Sequence, residues 1–513
     1  MSGSPDVTRS RRLQTPKTRW WERRRSSPLT PYPGSNRRRG AGRLLVASNR
    51  LPVTLERVGD GGWRARPAAG GLVTALDPVM RRRGGLWLGW PGVAGAGDEA
   101  LASALAEAPG DPPCPLQAVE LDAREQEAFY LGFSNQVLWP AFHGFPDRVR
   151  FKASWWEAYR TVNRRFARTL HGVARWDDLI WVHDYHLMLL ARELRQMGAA
   201  DHRLSFFLHI PFPEPRVLAR IPWHRQLLRG LLDFDLLGFQ REEDRRHFLS
   251  CVEEFVPEAL ASDEGARGPR LDGRRTLTRS FPISIDFDEF ARGAESPEVL
   301  AESREIRQEV GDHTSLALGV DRLDYSKGIP AKLRGLARIL ERRPSLRGRL
   351  TLIQLVVPSR DVIPAYRETR REIEGLVEEI NERWGDDGWT PVWYHYGRWS
   401  RERLLAHYRN ADMALVTPLN DGMNLVAKEY CAANAGDGVL VLSAHAGAAD
   451  ELSEAAVVVD PTSPDSIARG VLDALCMPER ERRLAMREAR EHLRTHDVHR
   501  WVGSFMAESI RAG

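Results

Sequence analysis

Cysteine is scarce in this sequence, and the four that occur lie far apart. Cys114, Cys251, Cys431 and Cys476 form no CxxC pair, so they predict neither a zinc site nor a disulfide framework and indicate a reducing, cytoplasmic location. A long apolar run is also missing: no stretch of about 18 apolar residues occurs that would cross a membrane. The 513 residues therefore predict a globular protein with room for two or three domains.

The chain as a whole has little net charge, and its excess of basic residues is concentrated at one end. Residues 1–43 hold twelve Lys or Arg against Asp6 and Glu22, so this stretch carries +10 and the remainder carries −6 of the net +4. With its Ser, Pro and Gly content, residues 1–42 are predicted to be a disordered basic tail. A solvated extension or a misassigned start explains the tail better than an arm that binds nucleic acid.

Strand and helix patterns alternate along the rest of the chain in two successive sets. Such alternation is typical of α/β proteins with two doubly wound domains and a ligand crevice between them. We place an N-terminal Rossmann-like domain at 43–280 and a C-terminal one at 281–490. A final amphipathic helix at 491–513 is predicted to pack back across the domain junction.

The stretch 415–430, LVTPLNDGMNLVAKEY, organises the second set. A buried strand is stopped by Pro418, Gly422 allows a tight turn, and a helix is predicted from Asn424 to Ala435. Because a helix N-terminus presents free N–H groups and the positive end of the dipole, it favours an anion such as a phosphate. We therefore predict an anion near Met423–Val426.

Two acids in this stretch have alternative interpretations. Asp421 is either an N-cap or a carboxylate that hydrogen-bonds the hydroxyls of a sugar attached to a diphosphate. Glu429 lies about 12 Å further along the helix axis at ~1.5 Å per residue, and it either reaches the other end of a nucleotide or is a solvated helix acid. Spacing alone leaves both pairs of alternatives open.

Further candidates follow strand ends, where open parallel sheets bind ligands. Arg50 comes just past a strand, and Gly70 and Gly71 precede a helix in a second arrangement suited to phosphate, although such a pair is a weak signal. Arg322 and Lys327 suit a diphosphate because charge-assisted hydrogen bonds are strong. The alternative is that these two cations pair with the neighbouring Asp321 and Asp324.

Polar and aromatic residues in the first set of strands and helices are further candidates for the ligand crevice. Asp184 and His209 each follow a strand, and they face the same crevice if those strands are parallel. Tyr130 and Trp139 are read as loop aromatics that either contact a sugar or pack in the core. The acids in Asp233–Asp235 raise the possibility of a metal site, which the lack of a second acidic cluster disfavours.

Nine segments together resemble trehalose-6-phosphate synthases, which are retaining glycosyltransferases with the two-domain GT-B architecture. They are SNRLPV, GGLVTAL, YLGFSNQVLWP, VHDYHL, FFLHIPFP, LLGFQ, GVDRLDYSKG, PSR and DGMNLVAKEY. The match runs in order from about Arg43 to the C-terminus. It implies transfer of glucose from a nucleoside-diphosphate glucose, in most cases UDP-glucose, to glucose 6-phosphate, which gives α,α-trehalose 6-phosphate.

The resemblance also implies roles for individual residues. The expected catalytic group is Arg322, Lys327, Asp184, His209 and Asp421. The expected donor-binding group is Gly70, Gly71, Arg322, Lys327, Asp421, Leu425, Val426, Ala427, Lys428 and Glu429, with Asp421 on the glucose hydroxyls and Glu429 on the ribose. The expected acceptor-binding group is Arg50, Tyr130, Trp139, Asp184 and Arg360. No cofactor or metal is implied, and a homodimer or homotetramer without a membrane or nucleic-acid partner is expected.

Asn420 departs from the family pattern, which commonly has a basic or small residue before DGMN, so contacts beside Asp421 are expected to differ. The rival functions are glucosylglycerol-phosphate synthase, with glycerol 3-phosphate as acceptor, and a noncatalytic regulatory relative. Arg50, Arg360 and the FSN segment favour glucose 6-phosphate. No DxDxT phosphatase motif follows Asp460, so we expect no phosphatase activity.

Overall fold

The computed structural model describes residues 43–58, 62–67, 71–94, 105, 115–198, 202–260, 268–311 and 313–512. The predictions made for the tail at 1–42, for Gly70 and for Cys114 lie outside these residues. Ranges and absences given below refer to the described part of the chain.

The first half of the chain builds a seven-stranded parallel sheet. Its strand order is β11-β8-β7-β6-β1-β4-β5, and a separate antiparallel pair β2-β3 and a small hairpin β9-β10 accompany it. The strands are β1 Leu44–Arg50, β2 Val53–Val58, β3 Gly62–Pro67, β4 Leu86–Trp90, β5 Leu116–Ala118, β6 Leu179–His183, β7 Arg203–Phe207, β8 Leu236–Phe239, β9 Arg270–Leu271, β10 Arg274–Arg275 and β11 Leu277–Ser280. The order reverses between β1 and β6, as in doubly wound folds.

The second half builds a six-stranded sheet in which all the pairings are parallel. Its order is β14-β13-β12-β15-β16-β17, which is the Rossmann order with the reversal between β12 and β15. The strands are β12 Ser315–Arg322, β13 Leu350–Val357, β14 Val392–Tyr396, β15 Met413–Val416, β16 Val439–Ser443 and β17 Ala456–Val459. The predicted α/β class, with two doubly wound Rossmann-like domains, is confirmed.

Helices connect the parallel strands and cover both sheets. They are α1 Gly71–Arg83, α2 Ala123–Glu125, α3 Trp139–Phe142, α4 Ala153–Val173, α5 Leu190–Gln196, α6 Pro215–Leu218, α7 His224–Leu231, α8 Glu242–Phe255, α9 Phe287–Gly293, α10 Pro297–Val310, α11 Ile329–Arg342, α12 Pro364–Trp384, α13 Arg401–Asn410, α14 Leu425–Ala433, α15 Ala449–Leu452, α16 Pro464–Cys476, α17 Glu479–Thr495 and α18 Val498–Ala512. None of the described helices is long and apolar enough to cross a membrane.

The segment that contains Tyr130 and Trp139 is helical, so its interpretation as a loop was wrong. A wide π-helix spans Gln126–Leu138 and continues into α3. Gly, Ser, Asn and Pro in this segment are weak helix formers, but Phe129, Phe133 and Val137 are fully buried in the core. Burial of these side chains outweighs the local propensities.

The last helix, α18, returns to the first sheet. Its Trp501 and Phe505 pack against Trp181 of β6 and Phe207 of β7, with ring centroids 4.3 to 5.8 Å apart. The Trp501 indole also donates a hydrogen bond to the Phe281 carbonyl at 3.1 Å. The break between α17 and α18 falls at residues 496–497. The domain limits drawn from the sequence stay a prediction.

Candidate active site

The two points where strand order reverses bring the candidate residues together. Arg50 ends β1 and Asp184 follows β6, which is its neighbour, while Arg322 ends β12 and Asp421 follows the neighbouring β15. Ligands of doubly wound sheets bind outside these carboxyl ends. The Trp139 indole of the first half donates toward Asp324 of the second at 3.4 Å, so the two edges share one cleft.

On the second sheet, Lys327 and Asp421 form a close ion pair. Lys327 Nζ lies 2.5 Å from Asp421 Oδ2, and the Asn424 amide donates to the same oxygen at 3.1 Å. Burial opposes ionisation of Asp421, but Lys327, His143 and Arg322 hold its pKa below the usual value. The carboxylate is therefore charged, and both of these contacts involve the same oxygen, Oδ2.

Asp421 does not cap the following helix. The N-cap of α14 is Asn424, which has a left-handed backbone (φ 84°) and makes no capping hydrogen bond through its side chain. The N-cap interpretation of Asp421 was therefore wrong. The first turn of α14, from Leu425 onward, presents its N–H groups without a side-chain cap, as the anion prediction requires.

The cations Arg322 and Lys327 do not pair with their neighbours in sequence, so that alternative was also wrong. Asp321 contacts the buried Lys332 at 2.6 Å, and Asp324 lies 3.7 Å from Arg360. Arg322 is exposed and makes no ion pair or hydrogen bond with another described residue; its guanidinium lies 5.5 Å from the Trp139 ring centre.

Other predicted donor residues lie on two helices. Gly71 is the first residue of α1, and the residues from Leu425 to Glu429 form the N-terminal half of α14. The Glu429 carboxylate accepts a hydrogen bond from Tyr408 at 2.9 Å. The Lys428 side chain turns away and is fully buried, with its ammonium 2.8 Å from the Ile283 carbonyl.

On the opposite side, three guanidinium groups surround Tyr130. Burial alone would raise the pKa of its hydroxyl, but Arg360, Arg50 and Arg322 together lower it. Arg50 stacks on Trp90 at 4.2 Å from the ring centre, and Arg360 stacks on Trp139 at 4.1 Å. Such a concentration of positive charge beside a phenol is suited to a phosphate.

Asp184 and His209 meet between the two cation groups. The backbone N–H of His209 donates to Asp184 Oδ1 at 3.2 Å, as expected for residues that follow neighbouring parallel strands. Burial raises the pKa of Asp184 to about 6, and burial lowers the pKa of His209 to about 3. At neutral pH the carboxyl is therefore charged and the imidazole is neutral.

Sequence reasoning missed the residues that hold Arg360. Its guanidinium donates to the hydroxyls of Tyr366 at 2.7 Å and Tyr185 at 3.1 Å, and the buried Asp324 is its ion-pair partner. Tyr185 follows Asp184 directly, so its position just past the end of β6 is a sequence signal that could have identified it. Tyr366 lies in the first turn of α12 and carries no such signal.

Asn420, the departure from the family pattern, forms a contact across the cleft. Its amide donates to the His143 carbonyl, just after α3, at 3.2 Å. The contact beside Asp421 is therefore a hydrogen bond from a neutral amide to the first half of the chain.

The acids considered for a metal are engaged by arginines. Asp233 pairs with Arg192 at 3.5 Å, while Asp235 pairs with Arg195 at 2.9 Å and Arg274 at 3.1 Å. Within the part of the chain that the structure describes, no group of three or more His, Cys, Asp or Glu is placed to hold a metal ion.

Replacement of Asp184 by asparagine is expected to separate activity from stability. The pKa of Asp184 is about 6 in the fold against 3.8 ordinarily, so its charge above pH 6 opposes folding. We expect a thermal midpoint a few degrees higher at pH 7.5, with the gain shrinking as the pH falls from 6 toward 4 and wild type takes up the proton. We also expect kcat/KM for the glucose transfer that the resemblance implies to fall by about 10²-fold. Thermal melts at several pH values and steady-state kinetics check this, and a midpoint gain independent of pH contradicts it.

Two Rossmann-like sheets facing one cleft, with cationic side chains on each side, form the architecture of GT-B glycosyltransferases. The chain belongs to glycosyltransferase family 20, whose sequence model matches residues 42–510. The match therefore includes every predicted site residue and leaves out most of the basic tail.

Several curated proteins are similar to the chain along most of its length. A trehalose-6-phosphate synthase of Enterobacter sp. is 38% identical over 92% of this chain and 95% of its own. A bifunctional trehalose-6-phosphate synthase/phosphatase of Thermoproteus tenax is 39% identical over 92% of this chain, which spans only 64% of that relative's length.

Solved structures have the same fold. An α,α-trehalose-phosphate synthase (UDP-forming) from Burkholderia xenovorans, in complex with glucose-6-phosphate, superposes with a TM-score of 0.82 at 36% identity, covering 91% of this chain and 100% of that one. An E. coli protein bound with UDP-2-fluoro glucose has a TM-score of 0.81 at 36% identity, covering 91% and 99%. The family resemblance drawn from the nine sequence segments is confirmed.

Proposed function

We propose that this protein transfers glucose from UDP-glucose to glucose 6-phosphate with retention, giving α,α-trehalose 6-phosphate. The observation that supports this is the pair of cationic groups across one cleft. Arg322, Lys327 and the start of α14 lie on one side, and Arg50 and Arg360 lie around Tyr130 on the other. A donor diphosphate and an acceptor phosphate are the two anions of this reaction.

On the donor side, Arg322, Lys327 and the α14 N-terminus bind the diphosphate. These groups stabilise the negative charge that develops on the leaving group, which is often the largest single contribution to catalysis. Asp421 binds glucose hydroxyls through the oxygen that Lys327 leaves free, and Glu429 binds the ribose hydroxyls. Gly71, the first residue of α1, and Gly70, which precedes it in the sequence, are the expected diphosphate contacts.

On the acceptor side, Arg50, Tyr130 and Arg360 bind the phosphate of glucose 6-phosphate and Trp139 contacts the sugar. Asp184 and the neutral His209 lie near the reacting carbon and hold hydroxyl groups by hydrogen bonds. We propose attack on the same face from which the diphosphate leaves. The departing phosphate oxygen takes the acceptor's proton, so this step needs neither an enzymic nucleophile nor an enzymic base. Arg322 and Lys327 supply the positive charge that stabilises the leaving group, so the step needs no metal ion for that purpose.

One experiment tests the reaction. Purified protein is incubated with UDP-, GDP- or ADP-glucose and with either glucose 6-phosphate or glycerol 3-phosphate, with and without EDTA, and products are identified by NMR. We expect a 1,1-linked disaccharide phosphate from UDP-glucose and glucose 6-phosphate at equal rates in both buffers. Product only from glycerol 3-phosphate supports glucosylglycerol-phosphate synthase. No product from any pair supports a noncatalytic relative.

We further propose a cytoplasmic homo-oligomer, a dimer or a tetramer. Cys251, Cys431 and Cys476 are all free thiols, two of them buried, and this is typical of a reducing compartment. Light scattering on the purified protein gives the assembly mass, and a monomer at micromolar concentration contradicts the oligomer.

A further inference from the structure

Glu429 is held by a buried tyrosine from the neighbouring helix. Tyr408, near the end of α13, has a fully buried side chain, and its hydroxyl donates to Glu429 Oε2 at 2.9 Å. The Tyr408 carbonyl accepts from the Asn434 amide at 3.1 Å, which fixes the tyrosine's own backbone. The hydrogen bond therefore joins a rigid donor to a carboxylate that is partly exposed on α14.

The charges around this pair favour one protonation state. Burial, Glu429 and Asp321 raise the pKa of Tyr408 well above its usual value, so its hydroxyl keeps its proton. Burial also raises the pKa of Glu429, and the hydrogen bond from Tyr408 and the charge of Arg401 oppose that rise. The hydrogen bond from Tyr408 is thus the strongest interaction that keeps Glu429 ionised.

We propose that Tyr408 is a positioning residue for nucleotide binding: it occupies Glu429 Oε2 and presents Oε1, as a charged acceptor, to vicinal ribose hydroxyls. The proposal rests on the proposed function, in which Glu429 binds the ribose. A carboxylate with one oxygen fixed cannot rotate away, so less side-chain freedom is lost when the nucleotide binds. The recognition applies to a ribose and not to a particular base.

The test compares two tyrosine variants by calorimetric binding of UDP, which needs no turnover. Tyr430, on α14 itself, is equally buried, and its hydroxyl donates to the Ala411 carbonyl at 3.1 Å, so Y430F is a matched control. At pH 7.5 we expect Y408F to weaken UDP binding about 10-fold, as for loss of a hydrogen bond to a charged group, and Y430F to stay within about twofold.

Two further measurements separate positioning from a general structural effect. In wild type, UDP binding is expected to weaken at acidic pH as Glu429 is protonated. In Y408F this weakening is expected to begin at higher pH, because the hydrogen bond that lowers the Glu429 pKa is gone. In an E429Q background, adding Y408F is expected to cost at most about twofold more, since the carboxylate it positions is absent. If Y408F does not fold, 3-fluorotyrosine at position 408 replaces it. Its hydroxyl is a more acidic donor and lowers the Glu429 pKa further, so the loss of UDP binding at acidic pH is expected to begin at lower pH than in wild type.

The outcomes are distinguishable. If wild type binds UDP and Y408F has the same affinity and the same pH profile, the positioning role is overturned. An unshifted pH profile in the 3-fluorotyrosine protein overturns it in the same way. Equal losses in Y408F and Y430F overturn it as well, because they indicate a packing effect. No binding of UDP to wild type overturns both the donor assignment and this inference.

Discussion

Replacing Arg322 with alanine is expected to lower kcat by roughly 10²-fold or more. Arg322 ends β12 in the cleft, is exposed, and makes no ion pair with another residue of the described chain. Its positive charge is therefore available to the departing diphosphate. The loss falls on kcat because charge on the leaving group grows toward the transition state. Steady-state kinetics with UDP-glucose and glucose 6-phosphate measure it.

Arg334 supplies the matched control for this variant. It lies on α11, and its guanidinium pairs on the surface with Glu372, so Arg334→Ala removes the same group outside the cleft. We expect its turnover to equal that of wild type. The thermal midpoint of Arg322→Ala is also expected to change little, since Arg322 makes no ion pair or hydrogen bond with another described residue and lies 5.5 Å from the centre of the Trp139 ring. Near-normal turnover in Arg322→Ala would show that this arginine does not stabilise the leaving group.

Replacing Arg360 with alanine is expected to raise the KM for glucose 6-phosphate by about 10²-fold. Arg360 is buried against Asp324 and donates to the hydroxyls of Tyr185 and Tyr366. Its removal deletes a proposed phosphate ligand and leaves the buried Asp324 carboxylate without its ion-pair partner, so the thermal midpoint should fall too. Kinetics with varied acceptor and thermal melts check the two effects.

Glucose without its phosphate is the internal control for Arg360. If the guanidinium acts through the phosphate, wild type and Arg360→Ala should use free glucose equally poorly, and the 10²-fold difference should disappear. Arg360→Lys keeps the charge but loses the planar pair of donors, so an intermediate KM is expected. A difference that persists with free glucose would assign Arg360 to the sugar ring or to folding.

Local sequence signals predicted the secondary structure of the proposed donor side well. The apolar run, Pro418 and the helix formers placed a strand before a helix, and the structure has β15 at Met413–Val416 and α14 at Leu425–Ala433. The reason given for Gly422 was incomplete. The positive φ of this turn belongs to Asn424, whereas a Cβ on Gly422 would lie 2.4 Å from the His209 carbonyl oxygen. Close approach of the two domains therefore requires glycine there.

The acceptor side was less accessible to sequence reasoning because its contacts are remote along the chain. Arg360 and Tyr185 are 175 positions apart, and Trp139 and Asp324 are 185 apart. No local pattern pairs such residues, and the family resemblance alone marked Arg360. The π-helix that carries Tyr130 was missed for a related reason: its stability comes from burial against α4 and against residues 185–187, which follow β6, and its own sequence disfavours a helix.

The packing of α18 on β6 and β7 has a consequence for biosynthesis. Trp181 and Phe207 emerge from the ribosome some 300 residues before Trp501 and Phe505, which cover them. During translation this apolar face of the first sheet stays uncovered until the whole second domain has been made. The N-terminal domain is completed only when residues 498–512 are released, so the nascent chain must be kept from aggregating through that interval.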